Sequence, residues 1–123
     1  MTLLAIDPGL DRAALAFFDR AAYEEGGAIS GAVPGAFLGA GSIKTSTKDP
    51  DHFRLAQIHA ETTRLCGTYL PGAAVIERPM TSRVYKGKAE SVAWNLTRFY
   101  QARGVILAAV SPFCGLVIEA RAG

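Results

Sequence analysis

Two acidic residues, Asp7 and Glu77, each close a run of apolar residues: LLAI precedes the first and AAVI the second. Each is followed by chain-turning residues, Pro8-Gly9 after Asp7 and Arg78-Pro79 after Glu77. A carboxylate at the end of a buried strand sits on a rigid element at the edge of a sheet, which suits a metal ligand. The plainer reading of Asp7 is turn chemistry alone: the side chain bonds the backbone ahead, proline presets φ, and glycine accepts a positive φ. Glu77 likewise has a plainer reading, as a charge exposed at a strand end.

The two acids gain meaning together. If their strands lie side by side and parallel, both carboxylates emerge at one C-terminal edge, where open α/β sheets place their sites. At about 4 Å and an effective dielectric near 20, two carboxylates repel by about 4 kcal/mol, so one must take a proton or a cation must lie between them. Short acidic side chains offering only oxygen favour Mg²⁺, with Mn²⁺ as a substitute, over zinc. Directly after Glu77 runs RPMTSRVYKGKA, which carries Arg78, Arg83, Lys86 and Lys88, no acid, and the interleaved Met80 and Tyr85. Basic residues beside a metal can hold phosphates, and an aromatic ring can stack on an opened base. A solvated basic loop is the alternative.

The elements that must position these residues follow from periodicity and punctuation. Residues 3–6 and 13–18 read as strands joined by a tight turn, and a Gly/Ala-rich stretch leads to a third strand over residues 36–44. Three such strands make an antiparallel meander. Next comes a helix, with Asp49 as a candidate cap, Pro50 suited to the first helical position, and Pro71-Gly72 as its stop. Leu55, Ile58, Thr62, Leu65, Cys66 and Tyr69 share its inner face. The strand ending in Glu77 follows, and a strand reached through a helix normally lies parallel to an earlier one.

From Ala89 the periodicity predicts a helix with Val92, Leu96, Phe99, Arg103, Ile106, Leu107 and Val110 on one face. Gly104 leaves VILAAV open between helix and strand. If helical to Val110 the element is about 33 Å long, and Trp94, Tyr100 and Val105 extend its apolar surface beyond that face, more than one small sheet can cover. A second copy of the chain is the simplest partner. A last strand is expected over residues 116–121.

The chain has 123 residues, half of them hydrophobic and a fifth charged, enough for one domain with its own core. A net charge of +2 is too small to imply a nucleic-acid partner by itself. No basic segment precedes the first strand, and the longest apolar run, residues 105–110, is too short to cross a bilayer, so a soluble, intracellular protein without a membrane partner is expected. Cys66 and Cys114 lack metal or redox spacing and read as reduced, buried thiols. His52 and His59 read as ordinary helix residues.

Taken in order, AIDPGL at residues 5–10, the apolar strand ending in Glu77, and QARGV at residues 101–105 resemble the RuvC-type Holliday junction resolvases, over nearly the whole chain. The resemblance implies an α/β, ribonuclease H-like fold with a five-stranded mixed sheet flanked by helices, here as a single domain over residues 1–123. It implies that Asp7 and Glu77 are catalytic and bind divalent metal, two Mg²⁺ ions in the complete site. It further implies that the long helix continues through Gly104 into a homodimer interface, in which Trp94, Phe99 and Tyr100 are the candidate residues. Arg78, Arg83, Tyr85, Lys86 and Lys88 would meet DNA near a four-way junction. The expected activity is paired symmetric nicking in DNA recombination and repair, in the cytoplasm of a prokaryotic or virus-infected cell. Resolvases of this type take further acidic ligands from a final helix that this sequence lacks, and neither Asp11 nor Glu119 is a convincing replacement, so impaired cleavage is expected. A non-catalytic branched-DNA-binding module and a ribonuclease H-like nuclease for flaps or structured RNA are the alternatives.

Overall fold

The computed structural model describes residues 1–19, 36–78 and 89–120, with side chains in the second helix described from residue 93. Five strands, β1 (Thr2–Asp7), β2 (Arg12–Asp19), β3 (Phe37–Lys44), β4 (Pro71–Glu77) and β5 (Leu116–Ala120), form one mixed sheet in the order β3-β2-β1-β4-β5. Two helices complete the described chain, α1 (Asp51–Tyr69) and α2 (Ala89–Val110). The expected meander is present, with β1 antiparallel to β2 and β2 antiparallel to β3. Crossing back through α1, the chain lays β4 parallel to β1, and through α2 it lays β5 parallel to β4. This is the five-stranded, helix-flanked mixed sheet expected of a ribonuclease H-like fold.

Alternation along the strands decides which residues face the helices. Leu4 and Ile6 of β1, Leu15 and Phe17 of β2, Ile43 of β3 and Ala74 and Ile76 of β4 are all buried in one cluster. From the helices, Ile58, Leu65 and Cys66 of α1 and Ala102, Ile106 and Val110 of α2 join the same cluster. Close approach of α1 to β3 depends on Gly39, where a β-carbon would collide with the Tyr69 ring. That ring in turn stacks on Phe17 with centroids 4.4 Å apart.

The ends of α1 differ from expectation in two places. Pro50 is the N-cap of α1 rather than its first helical residue, and no side chain caps the helix, so Asp49 does not take that role. At the other end Leu70 stops the helix in a left-handed conformation with φ 51°, its N–H bonded to the Cys66 carbonyl at 2.8 Å. Pro71, read as part of the stop, is the first residue of β4, a position where a missing N–H costs no interior ladder bond. The strand expected over residues 116–121 is present as β5 over Leu116–Ala120, and residue 121 lies outside the described residues. The α2 helix runs unbroken through Gly104, as the resemblance implied, and so VILAAV is helical.

Both helices pack on the same face, as shown by their shared core cluster. The opposite face, formed by Ala5, Ala14, Ala16, Ala40, Val75 and Ala120, borders an open groove of about 620 Å³. Leu116 and Ile118 of β5 add to the exposed apolar surface. Cys66 and Cys114 are buried free thiols, as read from their spacing. No helix among the described residues is long and apolar enough to cross a membrane.

Candidate metal centre

The parallel pairing of β1 and β4 runs in register from Leu3–Ala73 to Ile6–Ile76. One residue further, Asp7 and Glu77 end the two strands abreast. Because Ile6 and Ile76 point into the helix-covered core, their neighbours Asp7 and Glu77 turn to the opposite side, and both line the open groove. A hydrogen bond to Asp7, then partial burial, then the Asp7 charge push the Glu77 carboxyl above the usual carboxylate range. The donor set is therefore two hard oxygen ligands already competing for a proton, which fits a divalent cation such as Mg²⁺ or Mn²⁺. Among the described residues no group of three or more His, Cys, Asp or Glu side chains is arranged to hold a metal.

The turn after Asp7 needs glycine for a reason other than a positive φ. A β-carbon on Gly9 would stand 2.5 Å from the Arg12 carbonyl oxygen, so the backbone of the turn passes too close for any side chain. Pro8 and Leu10 on either side are buried, which seats the turn against the core.

Both acids weighed as substitute ligands are engaged elsewhere. Asp11 pairs with the fully buried guanidinium of Arg54. Glu119 pairs with Arg103 of α2, and lies 3.6 Å from Arg78. It projects from β5 to the helix-covered face, the side opposite the groove.

Of the expected DNA-contacting residues, Arg78 lies just past Glu77, half exposed, with its N–H donated to the Ala120 carbonyl at 2.7 Å. Arg83, Tyr85, Lys86 and Lys88 fall outside the described residues. Sequence reasoning missed Arg12. It lines the groove, donates from Nε to the Ser42 hydroxyl at 2.8 Å, and also lines a second cleft of about 320 Å³ beside the turn. Asn95, Arg98 and Phe99 of α2 form the other wall of that cleft. Arg12 could have been flagged by its place at the start of the strand that leaves the Asp7 turn.

The candidate dimer residues divide. Trp94 and Tyr100 are more than half exposed, with the Arg98 guanidinium 5.9 Å from the Trp94 ring centre. Phe99 is half-buried and meets Tyr100 edge-on at 6.1 Å. A shallow groove between the helices, lined by Leu55 and His59 of α1 and Tyr100, Gly104 and Val105 of α2, continues the apolar surface.

Known structures share this architecture. Thermus thermophilus RuvC in complex with a Holliday junction substrate superimposes with a TM-score of 0.71 at 20% identity, over 98% of this chain and 64% of that one. A second T. thermophilus RuvC structure matches with a TM-score of 0.64 at 24% identity and the same coverage. The chain thus has a RuvC-like fold and spans just under two thirds of the length of these structures. No family model and no curated protein sequence matches it.

Proposed function

We propose that this chain is the core of a metal-dependent endonuclease acting on branched DNA, most specifically a four-way junction. The observation that carries the reading is the placing of Asp7 and Glu77 abreast on an open groove, on a fold shared with a protein solved with a Holliday junction substrate. Asp7 and Glu77 would hold Mg²⁺ or Mn²⁺. Divalent ions bound there would supply the polarisation that activates a water for in-line attack on the phosphodiester and stabilises the leaving 3′ oxygen. Asp7 ends the central strand and Glu77 its parallel neighbour, so both ligands would sit on strands paired on both sides. Arg12 lines the groove beside the pair, and its positive charge would hold the backbone of the strand to be cut, while Arg78, which sits beside Glu119 at the end of β4, would meet DNA further along that edge. The segment from Arg83 to Lys88 would extend that contact toward the crossover.

A symmetric homodimer through α2 would present two such sites to opposite strands and allow paired nicks. The exposed Trp94 and Tyr100 support this arrangement. With Asp7 and Glu77 as the two carboxylates that line the groove among the described residues, metal binding by this chain is expected to be weak and its cleavage impaired. The same count favours the second reading, a branched-DNA-binding module that does not cut.

The test is a labelled four-way junction and a linear duplex of the same sequence, each incubated with the chain in Mg²⁺, Mn²⁺ or EDTA. Slow symmetric nicks on the junction alone, absent in EDTA and absent with Asp7→Asn, are expected. Junction-selective binding without any nicking would establish the second reading. Equal binding to junction and duplex would overturn both.

A further inference from the structure

Arg54 is the largest fully buried side chain in the described protein, and it is charged. Burying a guanidinium is costly unless its donors are met, and an apolar residue of similar size would fill the space without that cost. What its hydrogen bonds hold is the turn that leaves Asp7. Arg54 Nε donates to the Thr45 hydroxyl at 2.8 Å, and Nη2 donates to Asp11 Oδ1. The Thr45 hydroxyl donates onward to the Leu10 carbonyl at 2.6 Å, while the Thr45 N–H donates to the Asp11 carbonyl at 3.1 Å. Leu10 and Asp11, the last two of the four residues between β1 and β2, are therefore gripped from the end of β3 and the first turn of α1. Asp51 lies 3.6 Å from Arg54 and 3.3 Å from Arg98, which ties the same cluster to α2.

We propose that Arg54, acting through Asp11 and Thr45, is a positioning residue that fixes the Asp7 turn so that its carboxylate meets a divalent ion together with Glu77. This rests on the metal reading above. Metal ligands need their supporting groups held as firmly as the ligands themselves, and loss of such a support typically weakens binding 10–100-fold. The turn is tethered at the side facing the helices, which leaves Asp7 free on the groove side.

The decisive variant is Arg54→Met, which keeps the packing and removes the hydrogen bonds. Asp11→Ala cuts the same link at an exposed residue and decides the matter if Arg54→Met does not fold. Two readouts are taken on the full chain: Mn²⁺ affinity by electron paramagnetic resonance, and amide exchange at Thr45, with Ile6 and Ile76 as internal controls. The expected result is Mn²⁺ binding weakened about 10-fold or more and faster exchange at Thr45, with the strand controls unchanged. Partial recovery of Mn²⁺ affinity in Arg54→Lys is also expected, since one donor and the charge return. Wild-type Mn²⁺ affinity in both Arg54→Met and Asp11→Ala would overturn the proposal, whatever happens to stability. Slow Thr45 exchange in both variants would overturn it too. If Asp7→Asn binds Mn²⁺ as the wild type does, the metal reading itself fails, and the positioning role toward metal falls with it.

Discussion

Asp7 and Glu77 end two parallel strands abreast and line the same groove, and hydrogen bonding to the Asp7 carboxyl, partial burial and the Asp7 charge raise the Glu77 carboxyl above the usual carboxylate range. An acid with a raised folded-state pKa contributes stability that is complete below its unfolded pKa and lost as pH rises through the folded value. At neutral pH the fold therefore carries the cost of the pair.

Asp7→Asn removes that cost by deleting one charge while keeping the shape. Its melting temperature in EDTA at pH 7 is expected to exceed the wild type by a few degrees, and the gain should disappear near pH 3, where Glu77 is protonated in both states. Thermal melts across this range check it. A variant less stable than wild type at pH 7 would show that Asp7 supports the turn more than it repels Glu77.

Cys66 gives the alkaline counterpart. Burial, with a smaller contribution from the Cys114 thiol, raises its pKa from 9.0 to about 11. Between those values the unfolded chain releases the proton and the folded one keeps it, so stability should fall as pH climbs from 9 to 11. Below pH 9 a thiol reagent should label Cys66 only as fast as the protein opens. Replacement by alanine should flatten the alkaline loss.

Glu119→Gln separates a structural acid from a metal ligand. Arg103, mostly buried, loses its charged partner, so unfolding in urea should show a loss of about 1–3 kcal/mol. Mn²⁺ affinity should not change, because Glu119 points away from the groove that Asp7 and Glu77 line. A weakened metal site would make Glu119 a third ligand.

Gly39→Ala tests the packing of α1 on β3. The new methyl group meets the Tyr69 ring, which must leave its stack on Phe17, at a cost of about 1–3 kcal/mol. Gly67→Ala on the same helix, with open space around its position, should be neutral or slightly stabilising.

Tyr100→Glu tests the α2 face. If the chain associates through this helix, sedimentation should show a dimer for the wild type and a monomer for the variant, with melting of the monomer at low concentration unchanged. A wild-type monomer at high concentration would remove the dimer from the functional reading.

Local pattern carried most of the architecture. Short apolar runs ended by Asp7 and Glu77, helical spacing from Leu55 to Tyr69, and the single crossover between them were enough to read a meander, a parallel strand pair and two acids at one edge. These features depend on residues near one another in the chain, or on a handed connection with few solutions. Arg54 shows where that reasoning stops. It lies four residues before Ile58 and eight before Thr62, on the buried stripe itself, yet a charged residue is read as exposed because burial is favourable only with partners in place. Of those partners, Thr45 lies across the turn that enters α1 and Asp11 is 43 residues away in the sequence. The same holds for Glu119, whose side of the sheet depends on the register of β5 beside β4, and for Gly39, whose need for glycine comes from a tyrosine 30 residues away. Spacing along the chain names the acids and the elements that carry them. Which face is covered, which charges are matched and which turn is held are consequences of long-range packing, because each depends on atoms that only folding brings within bonding distance.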